Sequence, residues 1–170
     1  MTWIRLLLAV FVLPAVVIGV MVGSALSAPA QADTVTRQLL LQDTDFQFTS
    51  FTCLNDACSL ALVSIVGDAT SNLSPGTTGS FTADLIVDFS PGGDCNIVDE
   101  PGIFTFDNGT IFTHSHHEDC KTQGLRIDTP FQVTAGTGAF SGATGSGSEF
   151  GAVSADSAHN PVIYVGTISF

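Results

Sequence analysis

From residue 79 to residue 89 the chain alternates apolar and polar positions. Phe81, Ala83, Leu85, Val87 and Phe89 fall on one face, and Thr82, Asp84 and Asp88 fall on the other with Ile86. A period of two marks a strand with one buried and one wet face. Residues 124–134 repeat it, with Leu125, Ile127, Phe131 and Val133 inward against Arg126, Asp128 and Gln132. Pro130 lacks an N–H and stands at an outward position, which predicts an edge or a bulge there. Similar runs at 37–48, 59–67, 102–107, 110–118, 143–150 and 161–170 bring the predicted strands to about eight. Gly, Pro, Asn and Asp interrupt them at the rhythm of an all-β sandwich or barrel. Asp107-Asn108-Gly109 predicts a type I′ hairpin, because Asn-Gly tolerates positive φ.

Residues 1–32 break the pattern. Arg5, an apolar run from Leu6 to Val22 and the small-x-small site Ala30-Gln31-Ala32 predict a secretory signal, cleaved to leave a single domain over 33–170. An uncleaved anchor is the alternative, since such a run is long enough to span a bilayer. The chain carries 4 Lys and Arg against 16 Asp and Glu, a net charge of -12. Losing Arg5 takes -12 to -13 and leaves Arg37, Lys121 and Arg126 as the strong cations. Clustered cations are what binding to nucleic acid or anionic lipid requires, so neither partner is expected. The acidity reads as solubility outside the cell.

Cys53, Cys58, Cys95 and Cys120 are an even number of cysteines in a chain expected to be exported, which predicts two disulfides. Of the three connectivities, the most local joins Cys53 to Cys58 and Cys95 to Cys120. Loop closure would then contribute ~2 and ~3.5 kcal/mol. A zinc site of all four expects shorter paired spacings than these.

The segment Phe131-x-Val133-x-Ala135-Gly136-Thr137-Gly138-Ala139-Phe140-x-Gly142-Ala143-Thr144-Gly145 lies between two predicted strands. It resembles the GGTGxFxxAxG signature of the dirigent-like and allene oxide cyclase-like barrel proteins, with Ala135 replacing the usual first glycine. The resemblance covers about 20 residues. It implies an antiparallel, eight-stranded, lipocalin-like barrel of the allene oxide cyclase type after the signal peptide. It also implies a barrel that holds an apolar molecule for cyclisation or guided radical coupling, but the family's catalytic residues match no recognisable positions. From the residues alone, Gly136 and Gly138 allow a tight turn with positive φ, Phe140 plugs a barrel end, and Gly142 and Gly145 allow close packing or a bend.

His114-Ser115-His116-His117-Glu118-Asp119 is the dense group of metal-ligand types. On a strand, His114, His116 and Glu118 share one face and His117 and Asp119 the other. Two imidazoles and a carboxylate on one face can share an ion, so weak zinc or copper binding is the candidate chemistry, with no dedicated cofactor expected. The competing expectation is a solvated strand end leading to Cys120. Asp84 and Asp88 alternate as solvated positions do, and Asp99-Glu100 sits beside Pro101-Gly102; paired carboxylates can run general acid/base chemistry when burial splits their pKa values. The alternating C-terminus ending on Phe170 resembles the closing strand of an outer-membrane barrel, but Tyr164 is the sole tyrosine and Trp3 lies in the signal, leaving nothing for interfacial girdles.

These patterns lead to an exported, acidic, disulfide-bonded barrel that binds a small apolar ligand without catalysis. Two alternatives stay open: an enzyme of the cyclase, isomerase or coupling-guide kind, and an interaction module whose barrel is filled. A buried ionisable group beside an open cavity would favour the enzyme.

Overall fold

The computed structural model describes residues 35–73, 77–120, 126–151 and 161–170, without the side chains of residues 46 and 126–128. The expected signal peptide, Lys121, Leu125 and His159 lie outside the described residues, as do the side chains of Arg126, Ile127 and Asp128.

Eight antiparallel strands close into one barrel in chain order: β1 Thr36–Cys53, β2 Leu60–Ser71, β3 Thr77–Asp88, β4 Cys95–Phe106, β5 Gly109–Cys120, β6 Arg126–Gly136, β7 Thr144–Gly151 and β8 Val162–Ser169. β8 returns to pair with β1, from Thr36 opposite Ser169 to Asp43 opposite Val162, and this contact closes the barrel. The all-β architecture expected from the strand rhythm is therefore present, as the eight-stranded antiparallel barrel and not the sandwich. Val63, Ile65, Phe81, Ala83, Leu85, Val87, Phe131 and Val133 are buried, as their alternation requires.

Departures from the sequence reading have local causes. β4 begins seven residues before the predicted 102–107, at Cys95, because Pro101-Gly102 stays in extended backbone instead of turning. The β3–β4 ladder skips Glu100 and Pro101 and resumes without a register shift, and a proline has no N–H to give it. In β6 the register slips between Arg126 and Thr129, so Pro130 accompanies a bulge and no edge. β1 is also longer than predicted. Its register shifts between Thr44 and Gln47, where Asp45 takes φ 63°, and beyond that point it pairs with β2 alone. The 106–109 hairpin pairs Phe106 with Gly109, placing Asp107 and Asn108 at its centre without positive φ. It is a hairpin, but not the type I′ turn expected.

The two barrel ends differ. The glycine end carries the Asp107-Asn108 hairpin and the turn between β6 and β7, a short 3-10 turn over Gly138–Phe140. Phe140 plugs it as expected, buried with its ring edge-on to Phe106 and Phe170. Gly138 has φ +60°, and a Cβ there would stand 2.4 Å from the Asn108 carbonyl oxygen. Gly136 meets a requirement of space, not of positive φ: a Cβ would approach the Phe140 carbonyl oxygen to 2.1 Å. The other end carries both disulfides, Cys53–Cys58 after β1 and Cys95–Cys120 between directly opposed residues of β4 and β5.

Candidate functional site

Along several strands the inward positions change character between the glycine end and the disulfide end. On β1 the series runs Leu39, Leu41, Asp43; on β4 Phe106, Phe104, Gly102, Glu100; on β5 Ile111, Thr113, Ser115, His117; on β6 Val133, Phe131, Thr129. Glu149 on β7 faces Tyr164 on β8. β2 and β3 remain apolar from Ala69 to Ala61 and from Phe81 to Val87. The interior is thus greasy at the glycine end and gains polar and ionisable groups towards the disulfides from β1, β4, β5, β6 and β7, while Val98 at the end of β4 and the β2 and β3 side stay apolar.

Tyr164 stands where the two zones meet. Its ring packs edge-on against Phe104 and Phe131, at centroid distances of 5.1 and 5.2 Å, and Phe81 lies tilted against Phe104 at 4.7 Å. Its hydroxyl donates to Glu100 Oε1 at 3.1 Å. Tyr164 belongs to β8 and Glu100 to β4, on opposite sides of an eight-stranded ring, so this bond spans the interior.

Asp43, Glu100, Glu149 and His117 are all buried. Asp43 is fully enclosed, and neither of its carboxylate oxygens has a hydrogen-bond partner among the described residues. Desolvation, reinforced by the negative charges of Glu100, Asp68 and Asp45, pushes its pKa up to about 8. A carboxyl group in such a site is neutral at pH 7 and can donate a proton. His117 Nδ1 lies 3.3 Å from Ser115 Oγ, and its Nε2 lies 3.4 Å from Asp119 Oδ1 without hydrogen-bonding geometry. One ligand atom each from Glu100, His117 and Glu149 falls within 4.8 Å of the other two.

The residues singled out in the sequence lie on the outer face. His114 Nε2 is 2.9 Å from Asp99 Oδ1, and His116 Nδ1 is 3.5 Å from the same oxygen, with both imidazoles well exposed. Glu118, on the same face, stands beside the Cys95–Cys120 bridge, whose sulfurs are oxidised and offer no thiolate. The expectation that 114–119 is wholly a solvated strand end is corrected: Ser115 and His117 face the core. Asp84 is outward and accepts from Ser64 Oγ at 2.6 Å, and Asp88 accepts from the Ser90 N–H at 2.8 Å. Hydrogen bonding from the Ser90 side chain, and then from its backbone N–H, holds the Asp88 carboxyl below its usual range. Of the carboxylate pair beside Pro101-Gly102, Asp99 faces out and Glu100 faces in.

The interior set was missed because polar residues were assigned outward. A signal existed: Leu39, Leu41 and Asp43 share one parity, as do Ile111, Thr113, Ser115 and His117.

No protein-family model and no curated protein matches the chain. Among solved structures it is similar to a pterocarpan synthase dirigent protein, with a TM-score of 0.43 and 12% identity over 80% of this chain and 88% of that one. A likeness at that level carries neither family nor activity. The barrel stands on its own strand order and closure.

Proposed function

We propose that the barrel interior is an acid–base site acting on a small, largely apolar molecule, with chemistry of the cyclisation, isomerisation or coupling-guide kind. The observation that carries this reading is Asp43, a fully buried carboxyl group on an inward position of β1 with no hydrogen bond among the described residues. Leaving a polar group in that state costs about 1–3 kcal/mol, a cost that a structural role would not require. Asp43 as a neutral acid would protonate an oxygen of the bound molecule, and Glu100, oriented by the Tyr164 hydroxyl, would take a proton from carbon or oxygen. The Phe81, Phe104 and Phe131 rings supply an apolar wall for the rest of the molecule. The two disulfides support an oxidising, extracytoplasmic compartment.

The experiment is native mass spectrometry of the protein from its own host, set against its denatured mass. A small molecule released on denaturation, bound equally by Asp43→Asn but converted only by the wild type, is the expected result. Release without conversion by the wild type would make the protein a non-catalytic binder. A second reading, a filled interaction module, is favoured by Tyr164 spanning the interior to Glu100. Equal native and denatured masses would establish it in place of the first.

A further inference from the structure

We infer that Glu100, His117 and Glu149 form a binding site for one divalent transition-metal ion, of the zinc or manganese type, inside the barrel. The inference goes beyond the acid–base reading: it shares Glu100 with that reading, leaves Asp43 outside the donor set, and is tested by metal content instead of by turnover.

Three different strands, β4, β5 and β7, deliver these side chains, and their ligand atoms already lie within 4.8 Å of one another. Donors around one tetrahedral ion at ~2.1 Å stand ~3.4 Å apart, so capture draws each ligand atom inward by up to about 1 Å. Two carboxylates and a neutral imidazole cancel the charge of a divalent cation, and the hard, oxygen-rich donor set suits zinc or manganese better than soft cuprous copper.

A separate observation comes from the imidazole. The His117 side chain is 3% exposed, and its Nε2 makes no hydrogen bond among the described residues. A buried ring nitrogen in that state is costly as a donor and well suited to a metal as a lone pair. Ser115 Oγ beside Nδ1 can accept the N–H of that tautomer. Metal-bound histidines are ordinarily held through their other nitrogen in this way. Glu100 is held too, through the bond its Oε1 accepts from the Tyr164 hydroxyl.

The outer group of His114, His116 and Asp99 is a rival place for the same metals, and the test separates the two. The full chain is stripped with EDTA, dialysed against zinc or manganese, and assayed for metal content and affinity. X-ray absorption of the zinc form then counts the imidazoles. The expected result is one ion per chain with a single imidazole and oxygen ligands, unchanged in His114→Ala/His116→Ala. Affinity should fall about 100-fold or more in His117→Gln and Glu149→Gln, and about 10- to 100-fold in Tyr164→Phe, which loses only the orienting hydroxyl. The absorption measurement on wild-type protein needs no variant to fold. A two-imidazole signature, loss of binding in the outer double variant, or no stoichiometric metal would each overturn the inference. Metal content and the organic mass excess are read independently, so either reading can fail without the other.

Discussion

The Tyr164 hydroxyl donates to Glu100 Oε1 at 3.1 Å and thereby joins β8 to β4 through the middle of the barrel. Both residues are buried, Glu100 at 4% and Tyr164 at 2% exposure, so neither can exchange the bond for water. Tyr164→Phe keeps the aromatic packing and removes only the donor. It should cost about 1–3 kcal/mol in urea unfolding. The ring contacts with Phe104 and Phe131 carry a separate share, so Tyr164→Ala should cost more, in the range of about 3–5 kcal/mol.

Asp43 should make stability depend on pH. Its pKa rises from 3.8 when unfolded to about 8 when folded, so between those values the native state holds a proton that the unfolded state has released. Its contribution is therefore fully present below about pH 4 and lost as pH rises towards 8. In metal-free protein the slope for one proton is about 1.4 kcal/mol per pH unit. Denaturation midpoints of wild type and Asp43→Asn across pH 4 to 8 should converge as pH falls and diverge as it rises, with the variant the flatter of the two. Parallel curves would mean that Asp43 ionises normally.

The two disulfides should contribute unequally. Cys95–Cys120 closes 25 residues and Cys53–Cys58 closes 5. Loop-closure entropy assigns about 3.5 and 2 kcal/mol respectively. Cys95→Ala/Cys120→Ala should thus lower the thermal midpoint further than Cys53→Ala/Cys58→Ala. The latter pair tethers the far end of β1, past the point where β1 leaves β8.

Two glycines in the β6–β7 turn separate space from conformation. Gly142 has φ +81° with nothing within 4 Å of a Cβ, whereas Gly138 has φ +60° and the Asn108 carbonyl 2.4 Å away. Gly142→Ala should cost about 1–2 kcal/mol from the left-handed backbone alone. Gly138→Ala should cost more, because the Ala139 N–H also bonds that carbonyl at 2.8 Å. Equal midpoints for the two variants would mean that the turn relaxes away from the hairpin.

Much was legible from the chain because alternation is local. A strand's side chains point to opposite faces by backbone geometry alone, and so Phe81 to Val87 and Phe131 to Val133 were placed inward correctly. The same parity puts His114 and His116 outward and His117 on the other face. Even the turn at Gly136–Gly142 follows locally, since only glycine adopts φ +60° or +81° cheaply.

What the tertiary structure decided is which positions meet. Nothing within β4 or β8 alone states that Glu100 and Tyr164 lie on opposite sides of one closed ring, and nothing in Pro101-Gly102 announces an unbroken strand. Closure depends on the summed twist and register of eight pairings, a property of the whole sheet. Polar residues are ordinarily solvated, so local pattern left Glu100 outside the predicted 102–107 strand, beside Pro101-Gly102. The barrel instead encloses Asp43, Glu100, His117 and Glu149 together, because their strands carry them to one end of a shared interior. The chain by itself determined the strands and their faces; the convergence of four ionisable groups came from the ring those strands close.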